Sequence, residues 1–147
     1  MKKYKDSNYD FVQVGYNRRY YPTIVNAKKF INESQGQVLC KLILPESIKD
    51  NKDKFTKFRN IFENSSHGID ILHYLFGKLK ICHISKNKLN SFDSARTVIL
   101  KSKRKDTCIL IINSNSPHNF SLEIEDGEKR LLIQPFERLK LYKGIRK

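Results

Sequence analysis

The apolar positions of this chain follow two different periods. Ile24, Ala27 and Ile31 recur at helical spacing, with Val25 and Phe30 beside them, so the pattern predicts a helix over 22–34. Pro22 stands where a first helical turn accepts it, and Gly36 supplies a stop. Val38, Cys40, Leu42 and Leu44 alternate instead, which predicts a strand over 37–44 that Pro45 ends. Leu39 and Ile43 make its second side partly apolar and place it centrally. A short strand is expected at 11–15. Residues 46–57 are polar and Lys-rich and read as a surface loop. A second helix runs to Phe76, with Gly77 in the C-terminal cap position. Further strands are expected at 78–86, 95–103 and 107–113. A hairpin of 120–125 and 128–134 turns at Asp126-Gly127, and a last strand covers 136–142. Helices followed by a run of strands predict an α+β fold with a largely antiparallel sheet and the helices on one face.

With 147 residues, one domain is the default. Apolar residues at 39% and charged residues at 30% describe a globular chain, neither disordered nor membrane-like. The apolar runs are too short for a membrane span. Residues 1–10 are charged and polar, read as an N-terminal extension and not as a leader. The net charge of +14 suits an anionic partner. The basic residues are scattered along the whole chain, however, and Lys, Asn and Ile usage together fit a coding bias, which argues against nucleic acid. Cys40, Cys82 and Cys108 are far apart, show no metal-ligand spacing, and sit among apolar neighbours. They read as buried, reduced thiols of a cytoplasmic protein. No metal site is expected. Neither GxGxxG nor GxxxxGK[ST] occurs, so the chain shows no dinucleotide-binding turn of its own.

Two clusters can carry chemistry. On a helical wheel at about 100° per residue, Ile69, Ile71, Leu72, Leu75 and Phe76 share one arc. His67, Asp70 and Tyr74 fall opposite. Glu63 joins them if the helix starts early; if Ser65 or Ser66 is the N-cap, it lies in the approach loop. An imidazole between carboxylates is a general acid/base arrangement, although the same residues also suit an ordinary solvated face. The second cluster is Tyr16-Asn17-Arg18-Arg19-Tyr20-Tyr21. Two guanidiniums beside an amide and phenols can clamp a carboxylate, a phosphate or sugar hydroxyls. The plainer alternative is a structural corner.

Val14-Gly15-Tyr16-Asn17-Arg18-Arg19-Tyr20-Tyr21-Pro22 resembles the opening of the substrate domain in the Gfo/Idh/MocA family of nicotinamide-dependent sugar oxidoreductases. The segment from Glu63 to Gly77, with His67, Asp70 and the closing Leu75-Phe76-Gly77, resembles that family's acid-x-x-x-His-x-x-Asp helix. Residues 131–142, through Pro135, Glu137, Leu139 and Tyr142, are similar to a closing segment of members tied to surface-polysaccharide sugars. The likeness runs from Phe11 to Tyr142, within a domain of 11–147. It implies an open, mostly antiparallel sheet with helices on one face. It implies His67 as the proton donor or acceptor, Glu63 as its assistant and Asp70 in a variable role. Asn17, Arg18, Arg19 and Tyr74 would contact a sugar or nucleotide-sugar substrate.

The Gly-rich amino-terminal domain of the family has no counterpart here. The resemblance therefore implies a chain inactive alone, with NAD or NADP held by a separate Rossmann-domain partner, and a homo-oligomer formed through the sheet face. The alternatives are a non-catalytic interaction or dimerisation module of the same descent, or a basic nucleic-acid-binding protein.

Overall fold

The computed structural model describes residues 15–46, 54–89, 92–114 and 117–144, with backbone alone for 54–64, 87–89, 92–95 and 114. The extension 1–10 and, apart from Gly15, the strand expected at 11–15 lie outside the described residues.

A 3-10 turn, Asn17–Tyr20, leads into helix α1, Pro22–Glu33, with Pro22 in its first turn. Strand β1, Leu39–Glu46, precedes helix α2, Lys54–Phe76. Six strands follow: β2 Leu79–Leu89, β3 Phe92–Ser102, β4 Thr107–Ser114, β5 Ser121–Glu125, β6 Lys129–Ile133 and β7 Leu139–Lys143. They form one seven-stranded sheet in the order β2-β3-β4-β1-β5-β6-β7. Only β1 and β4 run parallel, Cys40 opposite Cys108 and Leu44 opposite Ile112; the other pairs are antiparallel. The expected open α+β architecture holds.

Several boundaries differ from expectation, each for a physical reason. Pro45 does not end β1; it lies within the strand. The ladder of β1 with β5 stops at Ile43, so the missing N–H falls where one side of β1 is no longer paired with β5. The expected loop over 46–57 contains the start of α2 at Lys54. Phe55 begins an apolar spacing that continues through Phe58, Ile61 and Phe62, a period invisible in a window cut at 57. Strand β7 begins at Leu139 and not at 136. Residues 134–138 form a turn in which the Gln134 N–H donates to the Arg138 carbonyl (3.0 Å) and the Arg138 N–H to the Pro135 carbonyl (2.9 Å). Cys82 is exposed, because it sits at a register irregularity in β2, an edge strand.

The core lies between the two helices and one face of the sheet. Helix α1 contributes Ile24, Ala27, Phe30 and Ile31; α2 contributes Ile71, Leu72 and Leu75; and the sheet contributes Cys40, Leu42, Leu44, Leu110, Leu122, Ile124, Leu131 and Ile133. Burial pushes the Cys40 thiol up, and its hydrogen bond with Cys108 adds to this, so Cys40 stays protonated.

A buried carboxylate fastens the end of the sheet where β1 begins. Asp106, in the β3–β4 turn, accepts hydrogen bonds from the Val38 N–H (2.9 Å), Ser102 Oγ (2.7 Å) and Arg104 Nε (3.0 Å). Arg104 also donates to the Ile31 carbonyl at 2.8 Å, tying α1 to the same turn. Burial alone would raise the Asp106 pKa, but these donors outweigh it and hold the carboxyl below its ordinary 3.8. Its stabilisation is therefore complete above that value and is lost as pH falls through the depressed pKa.

Helix α2 crosses β1 at Gly68. A Cβ there would lie 2.5 Å from Leu44 Cδ2 and 3.1 Å from Leu44 Cγ. The branch point of Leu44 is involved as well as its tip, so rotation alone does not clear the space. Gly68→Ala is expected to cost about 1–3 kcal/mol in urea unfolding, the range for overpacking a core. Leu44→Ala in the same chain should recover part of that loss, a non-additive pair readable in a double-mutant cycle.

Candidate active site

Seating α2 through Gly68 decides where its polar side chains go. The buried line of the helix runs through Ser65, Gly68, Ile71, Leu72 and Leu75. Ile69, expected on the buried arc, is 39% exposed. Two small residues, Ser65 and Gly68, take the contact with β1 and turn the helix away from the arc drawn by large apolar residues alone. Ser65 Oγ donates to the buried Glu46 carboxylate at the end of β1. His67, Asp70 and Tyr74, half-buried, lie on the flank of that line.

The 3-10 turn Asn17–Tyr20 packs on this flank, so the two clusters expected from sequence meet. Arg19 and Asp70 form a two-pronged ion pair, with Nε donating to Oδ2 at 3.0 Å and Nη2 to Oδ1. This fork fits the planar geometry of both groups. The Arg19 guanidinium carbon also stands 5.9 Å from the Tyr74 ring centroid, and Lys28 Nζ stands 5.8 Å from the same ring while donating to the Leu75 carbonyl at 2.6 Å. Asp70 and Tyr74 thus hold the corner to the helix. Asn17 is exposed on the turn. Glu63 belongs to α2, and its side chain lies outside the described residues.

His67 faces the other part of the corner. Tyr16 meets its ring edge-on, with centroids 5.5 Å apart and planes at 87°. Its Nδ1 is buried with no hydrogen-bond partner. Burial lowers the His67 pKa, the Arg18 charge lowers it further, and Asp70 opposes both. The net result is below the ordinary 6.5, so the imidazole is neutral at pH 7 and able to accept a proton. The unfolded chain takes up this proton first, and the residue therefore costs the folded state stability as pH falls below 6.5.

Arg18 has a different environment from Arg19. Its guanidinium carbon lies 4.9 Å from the Phe120 centroid and 5.9 Å from that of Phe136. Its Nη1 is buried without a hydrogen-bond partner. The sequence singled out Arg18 but not these rings; nothing in the period of residues 117–138 links them to a corner a hundred positions earlier. The turn over 134–138, closed by the Arg138 N–H to the Pro135 carbonyl, carries Phe136 to this place. Phe136 is buried, and its carbonyl accepts the Thr23 hydroxyl of α1.

The same fold recurs in solved oxidoreductases. The WlbA dehydrogenase of Bordetella pertussis, in complex with NADH and UDP-GlcNAcA, matches with a TM-score of 0.68 at 15% identity, over 90% of this chain and 43% of that one. Levoglucosan dehydrogenase in complex with NADH matches with a TM-score of 0.70 at 16% identity, over 95% and 44%. An oxidoreductase of Thermotoga maritima gives 0.68 at 13%, over 97% and 49%. At these identities the likeness is one of fold, and the chain spans less than half of each neighbour. No protein-family model matches the chain, and no curated protein matches it in sequence.

The His67 environment gives a direct expectation. In a pH titration followed by NMR, the His67 ring should titrate below 6.5. Arg18→Gln should move that midpoint up and Asp70→Asn should move it down, since each removes the charge that acts in the opposite sense.

Proposed function

We propose that this chain is the substrate-binding domain of a nicotinamide-dependent sugar oxidoreductase of the Gfo/Idh/MocA type, with His67 as the acid/base residue. The observation that carries the proposal is the His67 ring, with a buried unpartnered Nδ1 and Tyr16 edge-on against it, in the polar corner of a fold shared with NADH-bound dehydrogenases.

Strand β1 is the one whose parallel partner, β4, would make a βαβ unit, and no Gly-rich turn follows it. The cofactor, NAD or NADP, is assigned to a nucleotide-binding domain outside these 147 residues. The work of this chain is to bind the sugar or nucleotide sugar, to orient the reacting hydroxyl and to take its proton at His67. Arg19, Asp70 and Tyr74 act as positioning residues that lock the 16–21 corner to α2. Glu63, one turn before His67 on the same helix, is proposed as its assistant, and Asn17 as an exposed contact to the substrate.

The sheet face away from the helices is proposed as a contact between copies of the chain. Its central rows place Lys41, Ile109 and Ile99 side by side, and Ile43, Ile111 and Thr97 beside them. Leu39, on the same face, is 44% exposed. Among the described residues, no helix is long and apolar enough to cross a membrane.

The proposal is tested by assaying NAD(P)-linked oxidation of sugars and nucleotide sugars with the chain assembled to its cofactor-binding domain. His67→Ala should lower turnover by about 10²- to 10⁴-fold, the usual worth of a positioned acid/base group, with the fold unchanged by circular dichroism. Unchanged turnover in that variant would contradict the role given to His67.

A further inference from the structure

The helix layer covers the sheet unevenly. On the face toward α1 and α2, Leu100 of β3, Leu110 of β4, Leu42 of β1, Leu122 of β5 and Ile133 of β6 are all buried. The register continues this face onto β2, where Ile81 stands opposite Leu100 and Ile84 opposite Val98. Both isoleucines are nevertheless open to solvent, at 58% and 50% exposure. They are three positions apart and would fall on opposite faces of a regular strand. The register shift between Ile81 and His83 returns Ile84 to the face of Ile81. Bulges on edge strands re-aim side chains in this way, and here the result is an uncovered apolar pair.

The charge beside that pair has one sign. Residues 78–103 carry seven Lys and Arg against a single acidic residue, Asp93. On the same face as the isoleucines, Lys86 stands opposite Arg96. Like charges in directly opposed positions destabilise a sheet. Among the described residues, no carboxylate forms an ion pair with either. Lysines on an edge strand discourage pairing with other strands. That accounts for Lys80, opposite Lys101 on the outer face, but not for two exposed isoleucines on the inner one. The same edge of a second copy does not suit the patch, because it would bring cations against cations. Nor does the patch offer rings on which nucleic-acid bases stack, since Ile81, Ile84 and Val98 are aliphatic.

The dimensions fit a helix. Strands lie about 4.8 Å apart and a helix is about 10 Å across, so one helix covers β2 and β3. Ile81 to Lys86 extends roughly 17 Å at about 3.4 Å per residue, a length of about three helical turns. We propose that this end of the sheet docks an acidic amphipathic helix of another protein, laid over β2 and β3 beside α2. Its apolar stripe would cover Ile81, Ile84 and Val98, and its flanking carboxylates would pair with Lys86 and Arg96. The sheet face buries its apolar rows against helices elsewhere, and the partner completes that layer. The proposal does not rest on the oxidoreductase reading.

The test is binding of a synthetic peptide of about 18 residues, long enough to hold a helix, to the full chain at physiological ionic strength. Its Leu residues recur at i, i+3, i+4 and i+7, with Glu on the flanks. One control carries Lys in place of Glu, and a second scrambles the order so that no stripe remains. Affinity is read by calorimetry, and location by NMR of the Ile81 and Ile84 methyl groups, with exposed Leu141 on the opposite edge as the reference. The acidic helix should bind and shift Ile81 and Ile84 but not Leu141. Both control peptides should bind at least about tenfold more weakly, the loss expected when charge complementarity or the apolar stripe is removed. Lys86→Glu with Arg96→Glu should reverse the preference toward the Lys peptide. Ile81→Ser with Ile84→Ser should weaken the acidic one. Lys140→Glu with Lys143→Glu makes the same change of charge on β7 and should leave the preference as it is.

Should a variant fail to fold, the methyl shifts and the peptide ranking in the wild-type chain still decide. Absence of binding, equal binding of the scrambled peptide, shifts centred on Leu141, or an unchanged preference after the charge reversal at Lys86 and Arg96 would overturn the proposal. Tighter binding of an oligothymidylate or of phosphatidylserine-containing vesicles than of the acidic helix would also overturn it and assign the patch to that ligand.

Discussion

Helix α2 lies on the central strand at the separation that a glycine permits, and the placement of the polar corner follows from that contact. Gly68 meets Leu44 where any side chain would collide. This fixes both the height and the rotation of the helix over β1, with Ser65 bonded to Glu46 on one side and Ile71, Leu72 and Leu75 buried on the other. A wider seat would lift His67 away from Tyr16 and detach Asp70 from Arg19. The close packing of interiors makes such a shift costly, so a small residue at one helix position governs the geometry of a corner several ångströms away.

The two positive charges of the corner have opposite surroundings. Arg19 holds the 3-10 turn to α2 through Asp70, with Tyr74 packed against it. Arg18 lies against two aromatic rings with a buried nitrogen still unfilled. The Arg19 charge is satisfied within the chain, whereas a buried donor left without a partner costs the folded state stability. The same logic applies to His67, whose Nδ1 is buried without a partner and whose neutral form is favoured.

Much of this was legible in the sequence where local periodicity and special residues coincide. Ile24, Ala27 and Ile31 gave α1. Gly77, at a φ of +71°, closes α2, and Asp126-Gly127, with Gly127 at +93°, turns the β5–β6 hairpin. The features that were not legible depend on distant partners. Pro45 stays inside a strand because its neighbour β5 ends early, and Cys82 is exposed because β2 has one free edge. Ile69 leaves the buried arc because Ser65 and Gly68 take the contact. For the site, the meeting of residues 16–21 with 67–74 was expected only through a family resemblance, and the rings beside Arg18 were not expected at all.

The central claim is that this domain works with a nicotinamide-binding domain that lies outside these residues. The most direct measurement is recovery of the tagged chain from its own nuclease-treated cell extract, followed by mass spectrometry of the stoichiometric species and assay of bound NAD(P). The account predicts a Gly-rich nucleotide-binding domain in fixed ratio to the chain, with NAD or NADP carried along. Recovery of the chain only with copies of itself and without cofactor would contradict it.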